Sequence, residues 1–212
     1  MLNEEDTRKI WSNCKTFSEV CDVMARFVRG DLACSPGHLA PPDSETKSIE
    51  LFLDAFNRIG FLTTDSQPGD EPHLDPDGTF SAQRAFVCGY CNDKVADRFK
   101  RLALTSNLIV LLYPPRSTMH VWVPVTISSS QPSTAVGPNT SEEESTRFAE
   151  FCNASIGRAL TESWSITVVD PVWGRKKTLW SEISRALARA FDPSIDGGPN
   201  WPDFLPSGNK GI

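Results

Sequence analysis

Residues 84–113 read Arg84-Ala-Phe-Val-Cys-Gly-Tyr-Cys-Asn92-Asp-Lys-Val-Ala-Asp-Arg-Phe-Lys-Arg-Leu-Ala-Leu104-Thr-Ser-Asn-Leu108-Ile-Val-Leu-Leu-Tyr113. Arg84 to Tyr90 has the apolar, β-branched and aromatic content of a strand. Asn92 is a helix cap, and the helix it starts runs to about Leu104. Leu108 to Tyr113 is an unbroken apolar run, as a strand buried on both faces requires. A strand–helix–strand unit of this kind predicts strands that run in the same direction.

Downstream, Val121-Trp-Val-Pro-Val-Thr-Ile127 reads as a strand, and Pro124 assigns it to an edge because proline cannot donate to a ladder. Residues 128–141 (SSSQPSTAVGPNTS) have the composition of a flexible loop insertion. Glu142 to about Arg158 reads as a helix, with Phe148, Phe151 and Cys152 facing inward. Trp164 to Val169 is a late strand, followed by a helix whose Leu179, Trp180, Ile183, Leu187 and Ala190 hold period 3.6. Upstream, residues 5–29 read as one helix with Ile10, Trp11, Cys14, Phe17, Cys21, Met24, Phe27 and Val28 near helical spacing, stopped by Gly30. A Pro- and Gly-rich loop, Cys34 to Asp43, leads to a second helix capped by Asp43 or Ser44 and ended at Asn57-Arg-Ile-Gly60. Phe61 to about Asp65 is then a short strand and Gln67 to Phe80 a polar loop.

The expected fold is therefore α/β (or α+β): a mixed, partly parallel sheet of about five strands, helices packed against it, and two N-terminal helices. Residues 1–191 are expected to form one globular domain, with 192–212 as a Pro- and Gly-rich tail. Twenty-seven acidic against 21 basic residues give a net charge of -6, which argues against a nucleic-acid surface. The N-terminal MLNEEDTRKIW lacks the apolar stretch of a signal peptide, and no apolar run is long enough for a membrane span. An intracellular, cytoplasmic chain with six reduced cysteines is the expectation.

In Gly60-Phe-Leu-Thr-Thr-Asp-Ser-Gln-Pro-Gly69 an apolar strand start gives way to five successive hydrogen-bonding side chains. Polar groups at the carboxyl end of a strand are where open α/β sheets place ligand contacts. In a regular strand Thr63, Asp65 and Gln67 share one side, with Thr64 and Ser66 on the other. Gln83 and Arg84 can add an amide and a guanidinium from the next strand, and Asp170, beside Trp173 and Arg175, holds a similar place after the late strand. A turn that satisfies its own backbone has the same composition, so both readings stand at this point.

Cys88-Gly-Tyr-Cys91 is a C-x-x-C pair between a strand and a helix, the placement of a thiol–disulfide site. Against this, Cys88 falls inside the strand rather than at its exit. The pair supplies only two of the ligands a zinc ion needs, and Cys14, Cys21, Cys34, Cys152, His38, His73 and His120 show no second paired spacing. No metal, cofactor or catalytic signature is predicted.

Several segments together resemble an uncharacterised family of actinobacterial proteins, with similar patterns in proteins of large DNA viruses. They are Asp43-Ser-Glu-Thr46, the Asn57 to Gly69 stretch, Phe86-Val-Cys-Gly-Tyr90, Trp164-Ser-Ile-Thr-Val-Val-Asp-Pro-Val-Trp-Gly-Arg175, and Leu179-Trp180. The resemblance spans roughly residues 8–190. It carries no established activity, but it implies that Asn57, Thr63 or Thr64, Ser66 and Gln67 belong to the family's pattern. Of the cysteine pair, Cys88 alone matches, and the 128–141 insertion is particular to this chain. A viral source would place the chain in the host cytoplasm or nucleus.

Three functions compete. One is a small-molecule or nucleotide-like ligand site, catalytic or sensory, on Asn57, Thr63, Asp65, Ser66, Gln67, Gln83, Arg84 and Asp170. The second is a protein-interaction factor, with tryptophans such as Trp122, Trp173 and Trp201 as contacts. The third is a dithiol oxidoreductase using Cys88 and Cys91.

Overall fold

The computed structural model describes residues 1–119, 121–137 and 142–188. The expected tail, along with His120, residues 138–141, Ala190 and Trp201, lies outside them. Where one N-terminal helix is expected, there are two, α1 (Glu4–Asn13) and α2 (Phe17–Val28). The break is chemical: the Thr16 hydroxyl accepts from Glu19 N–H, and the Glu19 carboxylate accepts from Thr16 N–H, closing a capping box that restarts the helix. A 3-10 turn (Ser44–Ser48) leads into α3 (Glu50–Arg58), so three helices precede the first strand rather than two.

The strands and remaining helices follow as β1 (Phe61–Gln67), β2 (Asp70–Leu74), β3 (Phe80–Gln83), β4 (Phe86–Cys91), α4 (Asp93–Thr105), β5 (Ile109–Tyr113), β6 (Val123–Ser128) and β7 (Gln131–Val136). The chain closes with α5 (Glu142–Phe151), α6 (Ala154–Thr161), β8 (Trp164–Val169) and α7 (Thr178–Ala188). Asn92 caps α4 by accepting from Val95 N–H. Asn153 caps α6, and this divides the helix expected over 142–158 in two.

The strands form two four-stranded sheets, ordered β1-β4-β8-β5 and β2-β3-β6-β7, and every pairing is antiparallel. The expected partly parallel sheet of about five strands is corrected on both counts. β4 and β5 do run in the same direction, as a strand–helix–strand unit dictates, but β8 lies between them and is antiparallel to each. Three strands are extra: β2 and β7 fall in the stretches expected to be loops, 67–80 and 128–141, and β3 begins at the end of the first of them. β2 and β3 form one hairpin, and β7 forms a second with β6, the strand expected at 121–127. The second turns on Ser129 and Ser130 at φ 53° and 61°. Both sit in the left-handed region of a two-residue turn usually marked by Asn-Gly, which explains why its composition reads as a loop. Pro124 is not on an edge strand: β6 lies between β3 and β7, and Pro124 falls beyond the residues paired with β3 and beside a register shift against β7.

Alternation along β4 and β8 divides the core. Val87, Ile166 and Val168 face the helices, where Trp11, Phe56, Phe61, Phe99, Leu179 and Trp180 are buried. Phe86, Cys88 and Val169 face the other way, into a smaller core with Val123, Val125 and Val136 of the second sheet. β5 serves both layers, with Ile109 and Leu111 against the second sheet and Val110 and Leu112 against the helices. Gly89 is the contact point of β1 and β4, since a Cβ there would overlap the Leu62 carbonyl. Among the described residues no helix is long and apolar enough to cross a membrane.

Candidate functional site

β1 is an edge strand, and its pairing with β4 slips by one residue. Thr63 lies opposite Gly89, but Asp65, not Thr64, lies opposite Cys88, and Ser66 and Gln67 follow opposite Val87 and Phe86. The bulge at Thr64 reverses the side-chain parity expected of a regular strand. Residues directly opposite one another share a face. Thr63 and Ser66 therefore share one face, and Asp65 and Gln67 the other.

The bulge opens on a cavity of about 100 Å³ at the outer edge of β1. Its polar wall is Thr63, Thr64, Asp65 and Ser66, joined by Ser35, His38 and Asp43 from the loop after α2. Its apolar wall is Met24, Phe27, Val28, Leu53 and Phe148. The loop is folded back on itself, with Ser35 and His38 exchanging backbone hydrogen bonds at 2.8 and 3.2 Å, and His38 Nε2 lies 3.0 Å from Pro41 O.

Behind the bulge lies an acid that sequence reasoning missed. Glu144 of α5 is 5% exposed and accepts a 2.7 Å hydrogen bond from the Tyr90 hydroxyl. Thr64 is hydrogen-bonded to the same carboxyl. Burial pushes the Glu144 carboxyl up to about 7, and the negative charge of nearby Asp65 adds to the rise against the hydrogen bonds and Arg147. Asp65 keeps an exposed edge at the cavity mouth. Protein crowding raises its own carboxyl as well, partly offset by the Ser66 N–H. The sequence does carry a signal for Glu144: it precedes Phe148 by four residues and so lies on the inward face of α5.

The other predicted site residues are engaged in holding the fold. Asn57 Nδ2 donates to Leu53 O at 2.8 Å and to Thr63 Oγ1 at 2.7 Å, while its Oδ1 accepts from Thr63 N–H at 3.0 Å. Gln67 Nε2 donates to Arg84 O and Val125 O, fastening β1 to β6. Arg84 donates to Pro124 O and stacks on Trp173 with its guanidinium carbon 4.2 Å from the ring centre. Gln83 pairs with Asp70 and Thr126, and its carbonyl accepts from Gly174 N–H. Asp170, fully buried, takes a bidentate pair from Arg175 at 2.7 Å for each contact and accepts from Val172 N–H. Of the eight, Thr63, Asp65 and Ser66 reach the cavity.

Cys88 and Cys91 lie three residues apart within β4 and point to opposite faces, Cys88 into the inter-sheet core and Cys91 towards the helices near Cys21. Burial pushes both thiols far up, away from the thiolate that exchange chemistry needs. All six cysteines are buried and free. His73 lies in the β2–β3 hairpin between Asp70 and Asp75, away from the cavity lining. Among the described residues no three His, Cys, Asp or Glu side chains converge as metal ligands.

No curated protein matches the chain. The family described as "Domain of unknown function (DUF6919)" matches residues 6–190, nearly the whole of the sequence and all of the site above, and the chain belongs to that family.

Proposed function

We propose that residues 1–191 act as one intracellular domain that binds a compact polar small molecule in the cavity at the outer edge of β1. One observation carries this reading: the bulge at Thr64 brings Ser66 onto the face of Thr63, and these two with Thr64 and Asp65 line a cavity with an apolar opposite wall. Bulges next to sites commonly re-aim side chains in this way. A concave space with convergent polar groups and titration-shifted acids is the usual form of a ligand site. The volume of about 100 Å³ limits the enclosed part of the ligand to the bulk of about three waters.

Native mass spectrometry of gently purified protein, beside an Asp65→Asn, Ser66→Ala double variant, tests the proposal. A stoichiometric small molecule on the wild type and its loss from a variant with unchanged circular dichroism is the expected result. An adduct that survives the double substitution would place the site elsewhere.

A second reading rests on a separate surface. After β5, Met119, Val121 and Trp122 are 67, 45 and 64% exposed, a run of apolar side chains suited to a protein partner. Trp122→Ser should then abolish a specific pull-down partner while leaving the β1 cavity's ligand in place.

A further inference from the structure

We infer that the ligand of the β1-edge cavity carries a protonated amine on a short hydrocarbon body. This rests on the reading of that cavity as a ligand site and adds the chemical class of what fills it. The lining residues include two carboxylates, Asp43 and Asp65, no lysine or arginine, and one imidazole, His38, whose Nε2 is already engaged 3.0 Å from Pro41 O and 4.0 Å from Asp43. Glu45, on the adjoining 3-10 turn, is pushed up by burial and by the charges of Asp43, Asp65 and Asp70, so several carboxylates share one field at this mouth. An anion entering it would meet repulsion with no guanidinium or ammonium to receive it.

The remaining polar lining can supply acceptors. Ser35, Thr46 and Ser66 bring hydroxyls able to accept, Thr63 and Thr64 bring hydroxyls already bonded to Asn57 and Glu144, and the Thr64 carbonyl looks across to Gly37. An ammonium group offers three donors and no acceptor, which matches a wall of this kind. The opposite wall holds two aromatic rings, Phe27 and Phe148, between Met24, Val28 and Leu53. Aromatic faces attract organic cations as well as packing against a hydrocarbon chain. A bare metal ion is a poorer fit, since it would leave the apolar wall unused and the described residues contain no cluster of three ligands.

Amide chemical shifts of isotope-labelled protein titrated with propylammonium, propanol and propionate test the inference. The three probes share one hydrocarbon body and differ in the polar head. Propylammonium should shift the amides of residues 63–66 and 35–38, with an affinity at least about tenfold above that of propanol, and propionate should shift none. Asp65→Asn should remove that preference, weakening propylammonium about tenfold while propanol changes less than about twofold. Propanol or propionate binding as tightly as propylammonium overturns the amine class and leaves the ligand site standing. No shift at these residues from any of the three overturns both.

Discussion

Asn57 has no exposed surface, and its amide closes two hydrogen bonds from the last turn of α3 to Thr63 of β1 and a third back to Leu53 O within α3. Asn57→Ala leaves the Thr63 N–H and hydroxyl without partners in a buried place. The expected loss is about 2–4 kcal/mol in a urea unfolding experiment, larger than a surface substitution would give. Glu144 makes a prediction about pH. Its carboxyl keeps its proton up to about 7 in the folded protein against an ordinary 4.5. Between those values the folded state binds the extra proton, so stability falls as pH rises through that window. The shift corresponds to a contribution on the order of 3 kcal/mol, and Asp65, raised in the same direction, adds to the slope. Melting temperatures of the wild type should decline across this interval, and Glu144→Gln, which keeps an acceptor for Tyr90, should flatten the profile.

Turns and bulges decide the behaviour of the individual elements. The Ser129-Ser130 turn holds two ordinary residues in the left-handed region, each at a steric cost that glycine or asparagine would reduce. Replacing the pair by Asn-Gly should stabilise the β6–β7 hairpin by about 0.5–2 kcal/mol, read as a raised unfolding midpoint with an unchanged denaturant slope. The Thr64 bulge is the more consequential irregularity. One extra residue on an edge strand exchanges the faces of everything after it, and that exchange puts Ser66 beside Thr63.

The whole molecule is layered, with helices on one face of the β1-β4-β8-β5 sheet and a second sheet against part of the other. This layering buries all six thiols. Iodoacetamide should therefore label none of the six under native conditions and all six in guanidinium, counted by intact mass. Mild oxidation should produce no Cys88–Cys91 disulfide in the folded protein, because the two side chains leave opposite sides of one strand. Labelling of Cys88 in the native state would contradict the layer assignment directly.

What the sequence determined by itself is what neighbouring residues settle among themselves. Asn92 as a cap, Gly30 and Gly60 as stops, the inward stripe of Leu179, Trp180, Ile183 and Leu187, and the apolar runs of β4, β5 and β8 all depend on contacts within a turn or two of the chain. The polar stretch at 63–66 was legible for the same reason, and the chain's membership in its family from the combined motifs. Only the tertiary structure decided which strands are partners. β8, from late in the chain, inserts between β4 and β5, so the direction implied by a local strand–helix–strand unit does not set the pairing. Only the tertiary structure sorted the polar candidates, sending Asn57, Gln67, Arg84 and Asp170 into structural bonds and leaving Thr63, Asp65 and Ser66 on the cavity. It alone brought the Glu144 carboxyl against Tyr90 and the cavity residue Thr64. The reason is range: caps and periodicity act over a few residues, whereas strand order, bulge register and buried charge depend on segments far apart in sequence that meet only in the folded core.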